Sequence, residues 1–77
     1  MERIVLISLR KEANLTQSEV AEKAGINRSF YGFIEKGIRN PTLRKAERIA
    51  NVFGKTVSEV FPNDIFFAGK FDLFIFN

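Results

Sequence analysis

Cysteine and histidine are both missing from this chain of 77 residues. Without cysteine no disulfide can staple the fold. Without histidine there is no imidazole base and no usual metal cluster. No signal-peptide pattern is present either, so the composition leads us to expect a reducing, cytoplasmic location. Long hydrophobic runs are lacking too, and none could cross a bilayer, so no membrane partner is expected. Internal repeats and low-complexity linkers are absent. The length allows one small domain and no second core. The carboxylates Glu12, Glu19, Glu22, Glu47 and Glu59 fall on helix faces or at caps, where charge normally belongs. Neither an enzyme nor a cofactor or metal site is therefore expected.

The charge that is present is unevenly spread. Residues 1–61 carry 11 Lys+Arg against 7 Glu, and residues 62–77 carry one Lys against two Asp. A modestly basic body suits a polyanionic partner such as nucleic acid. Charge alone does not separate that reading from ordinary surface solvation.

Glycines and capping residues divide residues 1–61 into five short helices. The first is expected from Glu2 to Ala13, with Leu6, Leu9 and Ala13 as its core stripe and Ile4 and Ile7 on the far side. Thr16 and Glu19 suit a capping box, with Leu15 and Val20 as its hydrophobic staple. Helix 2 then buries Val20, Ala21 and Ala24 and stops at Gly25. Only Gly25-Ile26-Asn27 intervenes before helix 3, where Asn27 is a suitable N-cap and Gly37 the stop. Thr42 caps helix 4, whose inner face is Leu43, Ala46, Ile49, Ala50 and Phe53. Thr56 and Glu59 form a second capping box for a one-turn helix 5, with Val57, Val60 and Phe61 inward.

Two short helices joined by a tight glycine-containing turn form a helix-turn-helix unit. In such a unit the second helix enters the major groove and the first lies across the backbone. Helix 3, about residues 28–36, divides cleanly. Phe30, Tyr31 and Ile34 share one side, and Arg28, Ser29, Gly32, Phe33 and Lys36 share the other. Gly32 costs up to ~1 kcal/mol of helix stability relative to alanine. In return it removes bulk from the exposed face, so the helix can sit deeper in a groove. Phe33 then has an apolar target in a thymine methyl, Arg28 can donate to guanine, and Ser29 can bond several bases. The plainer alternative is that Gly32 only admits another helix and Phe33 edges the core.

The stretch "LTQSEVAEKAGINRSFYGFIEKGIRNPTLRKAERIANVF" resembles the Cro/phage-repressor, Xre-type helix-turn-helix family. The matching positions are Leu15, Thr16-Gln17, Val20-Ala21, Ala24-Gly25-Ile26, Ile34-Glu35, Gly37 and Asn40-Pro41-Thr42, with Arg10 ahead of them. The resemblance covers about residues 3–61 and rests on many fixed offsets at once. It implies an all-α, five-helix, lambda-repressor-like domain over 1–61 that binds double-stranded DNA sequence-specifically, usually as a homodimer on a palindromic operator. It also implies residue roles. Gln17, Asn27, Arg28, Ser29 and Phe33 correspond to base-contacting positions, which Gly32 joins by its place on the same face. Arg39 and Asn40 fall in the loop that touches phosphate, with Thr16 and Lys36 as further phosphate contacts. Arg10 and Glu35 correspond to a buried structural ion pair. The family often has polar side chains where Gly32 and Phe33 stand, so readout here would lean on shape and methyl contacts.

Residues 62–77 lie outside that pattern and hold five of the nine phenylalanines. Their composition favours strand over helix, and Gly69-Lys70 suits a hairpin turn. We expect this tail, through Ile65, Phe67, Phe71, Leu73 and Ile75, to be a dimerisation element packing over Ile4 and Ile7, with DNA contact confined to residues 10–45. The competing reading is an antitoxin-type module whose tail grips a partner protein. RNA fits less well, because an exposed helix does not suit its narrow major groove.

Overall fold

The structure is a computed structural model that describes residues 1–66. These residues form five helices: α1 (Ile4–Glu12), α2 (Gln17–Ala24), α3 (Arg28–Lys36), α4 (Leu43–Val52) and α5 (Val57–Val60). Among them no helix is long and apolar enough to cross a membrane.

Local chemistry sets most of the boundaries. Thr16 and Thr56 accept from the backbone N–H groups of Glu19 and Glu59, whose carboxylates accept from the Thr16 and Thr56 N–H groups in return. Both capping boxes are thus complete. Those bonds stabilise the ionised form and hold the Glu19 and Glu59 carboxyls below their usual pKa. Thr42 caps α4 through the Lys45 N–H. The 77-residue chain is therefore punctuated by hydrogen bonds that each span three residues and need no long-range contact.

The core is Leu6 from α1, Val20, Ala21 and Ala24 from α2, Tyr31 and Ile34 from α3, Ala46, Ile49 and Ala50 from α4, and Val60 with Phe61. Alanines on α2 and α4 leave little side-chain bulk between those helices, and each makes close approach possible. Phe66 extends the core at its edge, its ring meeting Phe61 edge-on at 6.0 Å and 84°. Such pairs contribute ~0.5–1.5 kcal/mol beyond burial. The folded body therefore continues past Phe61 through Asp64 and Phe66, while Ile65 points outward at 83 % exposure. Phe67, Phe71, Leu73, Ile75 and the Gly69-Lys70 turn lie outside the described residues.

Helix α1 departs from expectation at both ends. It starts at Ile4 rather than Glu2, and it ends at Glu12 with Ala13 exposed rather than in the core. The physical cause at the C-terminal end is Asn14, which adopts φ 57° and turns the chain so that the Leu15 N–H returns to the Arg10 carbonyl at 3.1 Å. Asparagine is among the few residues that tolerate this left-handed conformation. At the other end the Arg3 N–H is used outside the helix, donating to the Glu35 carbonyl at 2.8 Å. Ile4 faces outward at 64 % exposure, but Ile7 is half-buried rather than on the outer face.

One polar group lies inside this small core. Glu35 is 2 % exposed. Its carboxylate accepts from Arg10 Nε at 2.6 Å and Nη2 at 3.1 Å, from Gln17 Nε2 at 2.9 Å, and from the Tyr31 hydroxyl at 2.6 Å. Arg10 also donates to the Leu15 carbonyl at 3.0 Å. Burial alone pushes the Glu35 pKa up, but the bonds from Arg10, Tyr31 and Gln17 outweigh it and hold the pKa below the usual value. Burial, followed by the bond to Glu35, drives the Tyr31 pKa far upward, so its proton stays in place. The hydrogen bond with Glu35 likewise raises Arg10. The ion pair is therefore charged on both sides and satisfied on every buried atom.

Two outcomes follow. Arg10→Met should cost ~3–5 kcal/mol, because it leaves a buried charge short of its main partner. Arg10→Met with Glu35→Gln should cost less than the two single losses added together; urea unfolding of the four proteins checks this, and zero coupling would contradict it. Acid should also destabilise the fold. The unfolded Glu takes a proton near pH ~4.3, above the native value of Glu35, so protons favour the unfolded chain. Stability should hold as pH falls towards ~4.3 and decline below it, with a shallower decline in Glu35→Gln.

Candidate nucleic-acid interface

The α2–α3 unit is assembled from short-range constraints. Helix α2 ends at Gly25 with φ 70°, which returns the Gly25 and Ile26 N–H groups to the Glu22 and Ala21 carbonyls. That left-handed step is open to glycine at little cost. Asn27 follows at once and caps α3, its side-chain oxygen accepting from the Phe30 N–H at 3.0 Å. At the far end Gly37, with φ 78°, turns the chain back and lets the leading backbone pass; a Cβ there would collide with the Met1 carbonyl. Helix α3 is amphipathic between these points, with Tyr31, Ile34 and Glu35 buried and Phe30 half-buried against α4, where Lys45 Nζ stands 4.8 Å over its ring.

The opposite face of α3 carries a shallow depression of about 170 Å³ lined by Gln17, Arg28, Ser29, Gly32, Phe33 and Lys36. Its lining has two cations and no acidic side chain. Gly32 forms the low point, and Gln17 from the start of α2 lies against it: a Cβ on Gly32 would sit 3.5 Å from Gln17 Oε1. Gln17 does not swing freely there, since its Nε2 is tied to Glu35 at 2.9 Å. Its carbonyl oxygen is thus left as the free acceptor of the amide. Phe33 stands at the rim at 39 % exposure. Four polar side chains and an apolar ring around a hollow can bond base edges and receive a methyl group.

The remaining expected site residues lie around this hollow rather than in it. Thr16 and Asn27 are exposed at the first turns of α2 and α3, and each commits its side-chain oxygen to a cap. Asn27 keeps both amide N–H groups for another partner. The two helix N-termini also carry the positive ends of their dipoles. Arg39 and Asn40 are exposed in the loop between α3 and α4. Asn40 Oδ1 accepts from Arg3 Nη2 at 2.7 Å.

Sequence reasoning passed over Arg3 entirely, and over Gln17 and Tyr31 as ligands of Glu35. The Tyr31 bond had a visible signal, since it spans four residues of one helix. Arg3 had none: its partner Asp64 is 61 residues away.

This is a two-helix unit whose second helix carries a shallow, cationic hollow with a glycine in its lining. A family model described as helix-turn-helix matches residues 6–60. An uncharacterized HTH-type transcriptional regulator of Archaeoglobus fulgidus is 40 % identical over 55 residues, 71 % of this chain and 78 % of that protein. The immunity repressor protein of Bacillus phage phi105 is 42 % identical over 53 residues, 69 % of this chain but 37 % of that protein. Among solved structures, a chain of a SinR protein/SinI protein complex superposes with a TM-score of 0.74 at 30 % identity, covering 82 % of this chain and 62 % of that one. The chain belongs to the helix-turn-helix family, of the Xre type, whose members are DNA-binding transcriptional regulators and not enzymes.

Gly32→Ala separates fold from readout. The new methyl group meets Gln17 at ordinary contact distance, and the helix gains ~0.5–1 kcal/mol of propensity. Thermal unfolding should therefore rise, while the filled hollow weakens DNA binding. A variant that binds as well as the parent would remove the role assigned to the hollow.

Proposed function

We propose that this regulator reads double-stranded DNA sequence-specifically with α3 in the major groove, as a two-fold dimer on a palindromic operator. The observation that carries the reading is the hollow on the outward face of α3, where Gln17, Arg28, Ser29, Gly32, Phe33 and Lys36 converge. In this reading Gln17, Asn27, Arg28, Ser29 and Phe33 contact bases over the Gly32 floor. Thr16, Lys36, Arg39 and Asn40 contact phosphates, which fix position without carrying sequence information. A cytoplasmic location goes with such a role.

The dimer reading draws on exposed apolar side chains at the start of α1 and after α5. Ile4 and Val5 are 64 % and 40 % exposed, and Ile65 is 83 % exposed. Residues 65–76, through Ile65, Phe67, Phe71, Leu73 and Ile75, are the proposed dimerisation element. Burying one such side chain stabilises by ~1.5–3 kcal/mol, so covering several decides association. A second reading is a partner protein held by the same segment; that a similar chain is found in a SinR protein/SinI protein complex supports a protein partner.

Selection from random duplexes should return one site with half-site centres ~10 bp apart. On that site Arg28→Ala should cost ~1–3 kcal/mol and relax choice at one base pair. Arg39→Ala should weaken all duplexes alike and flatten the salt dependence, as loss of a phosphate contact does. Equal affinity of the parent for every duplex at physiological salt would overturn the proposal. Truncation after Phe66, which spares the contacts of Asp64 and Phe66, should give a folded monomer that keeps its half-site preference; an unchanged dimer in sedimentation would acquit the tail.

A further inference from the structure

Arg3 lies outside the proposed interface, yet its side chain makes five hydrogen bonds, more than the four of Glu35. Its backbone N–H donates to the Glu35 carbonyl at 2.8 Å. Its Nη1 donates to the Ile34 carbonyl at 2.6 Å and the Arg39 carbonyl at 3.0 Å, and its Nη2 to Asn40 Oδ1 at 2.7 Å. Asp64 holds the other edge of the guanidinium, at 3.3 Å from Nε and 2.6 Å from Nη2. The Phe61 ring stands 5.8 Å beneath it. The side chain is 12 % exposed and that of Asp64 19 %, so solvent screens the pair only in part.

These bonds share one geometric result. Ile34 and Glu35 belong to the last turn of α3, where the free carbonyls and the negative end of the helix dipole lie. Arg39 and Asn40 belong to the loop that follows. Arg3 thus bonds both sides of the bend at Gly37 and fixes where the loop leaves the helix. A planar fork with five donors is suited to this, and a lysine is not. Arg39 has its carbonyl tied to Arg3 while its own side chain is exposed.

We infer that Arg3, braced by Asp64, is a positioning residue for DNA binding: it holds the α3–α4 loop so that the Arg39 side chain and the Asn40 amide are presented to phosphate. This rests on the proposal that the loop touches phosphate. It places the control of non-specific affinity at the meeting of the leading residues and the segment after α5. Anything that draws Asp64 away would act on the loop through the same guanidinium.

Charge makes the test sharp. Asp64→Asn removes a negative charge, and by field effects alone it should tighten DNA binding. Positioning requires the opposite: roughly threefold to tenfold weaker binding to the preferred and to random duplexes alike, the loss expected of one or so hydrogen bonds. Arg3→Gln should do the same, and Arg3→Lys should recover only part. In an Arg39→Ala background Arg3→Gln should add much less, because its effect runs through that side chain. Base preference in the random-duplex selection should not change in any of these variants. Should Arg3→Gln fail to fold by circular dichroism, Asp64→Asn and Arg3→Lys decide the matter. Binding by Asp64→Asn that is unchanged or tighter, or full additivity of Arg3→Gln with Arg39→Ala, overturns the inference. If Arg39→Ala itself binds as the parent does, the phosphate role of the loop fails instead.

Discussion

The carboxylate of Glu35 is the constraint around which the rest is arranged. It projects from α3 into a core otherwise made of apolar side chains, and it draws donors from α1 and α2 as well as from its own helix. Charge-assisted bonds of this kind are short and directional. Apolar contacts are neither. The alanine-rich meeting of α2 with α4 tolerates small slides, whereas four donor atoms on one carboxylate tolerate few. Removal of any charged partner leaves a penalty of several kcal/mol, against a total stability of ~5–15 kcal/mol for a domain. The node therefore specifies the angle between α1, α2 and α3 more than it adds net stability.

That angle is what the proposed DNA-facing surface needs. Gln17 meets α3 over Gly32 because its amide is anchored to Glu35 on the inner side. The same carboxylate therefore sets both the packing of the core and the orientation of a polar group at the rim of the hollow. Phe33 and Gly32 make that rim apolar and low, so in the proposed reading shape and methyl contact carry more of the readout than in a surface of long polar side chains. The caps at Thr16 and Asn27 each satisfy one N–H of the first turns of α2 and α3, leaving other N–H groups of those turns without an intrahelical partner.

Helix α3 is held at both ends by unlike devices. Asn27 is local, one residue before the helix, and Arg3 is distant in sequence, with bonds that span 31 to 61 positions. The first needs only the chain itself, while the second exists only after α1, α3 and the residues beyond α5 have come together. The exposed Ile4 and Val5 line one cavity with Arg3, Asn40 and Asp64, so the start of α1 and the loop after α3 are neighbours in space although the sequence separates them.

What the sequence by itself determined was local. The helix starts at Thr16, Asn27, Thr42 and Thr56 and the stops at Gly25 and Gly37 were legible, because each depends on hydrogen bonds or torsions within a few residues. The amphipathic split of α3 was legible for the same reason, since a period of 3.6 residues needs no partner to be read. Helix α1 was read too long because Asn14 has no obligatory conformation; its left-handed φ depends on Leu15 and Arg10 closing the turn. The burial of Ile7 is not legible in the sequence, because a helical wheel shows direction, not what lies across from it. Only the tertiary structure decided that Glu35 has four donor atoms, that Gln17 lies over Gly32, and that Arg3 spans from Asp64 to Asn40. Long side chains such as arginine and glutamine have many rotamers and solvated alternatives, and their partners are chosen by the packing of helices already in place.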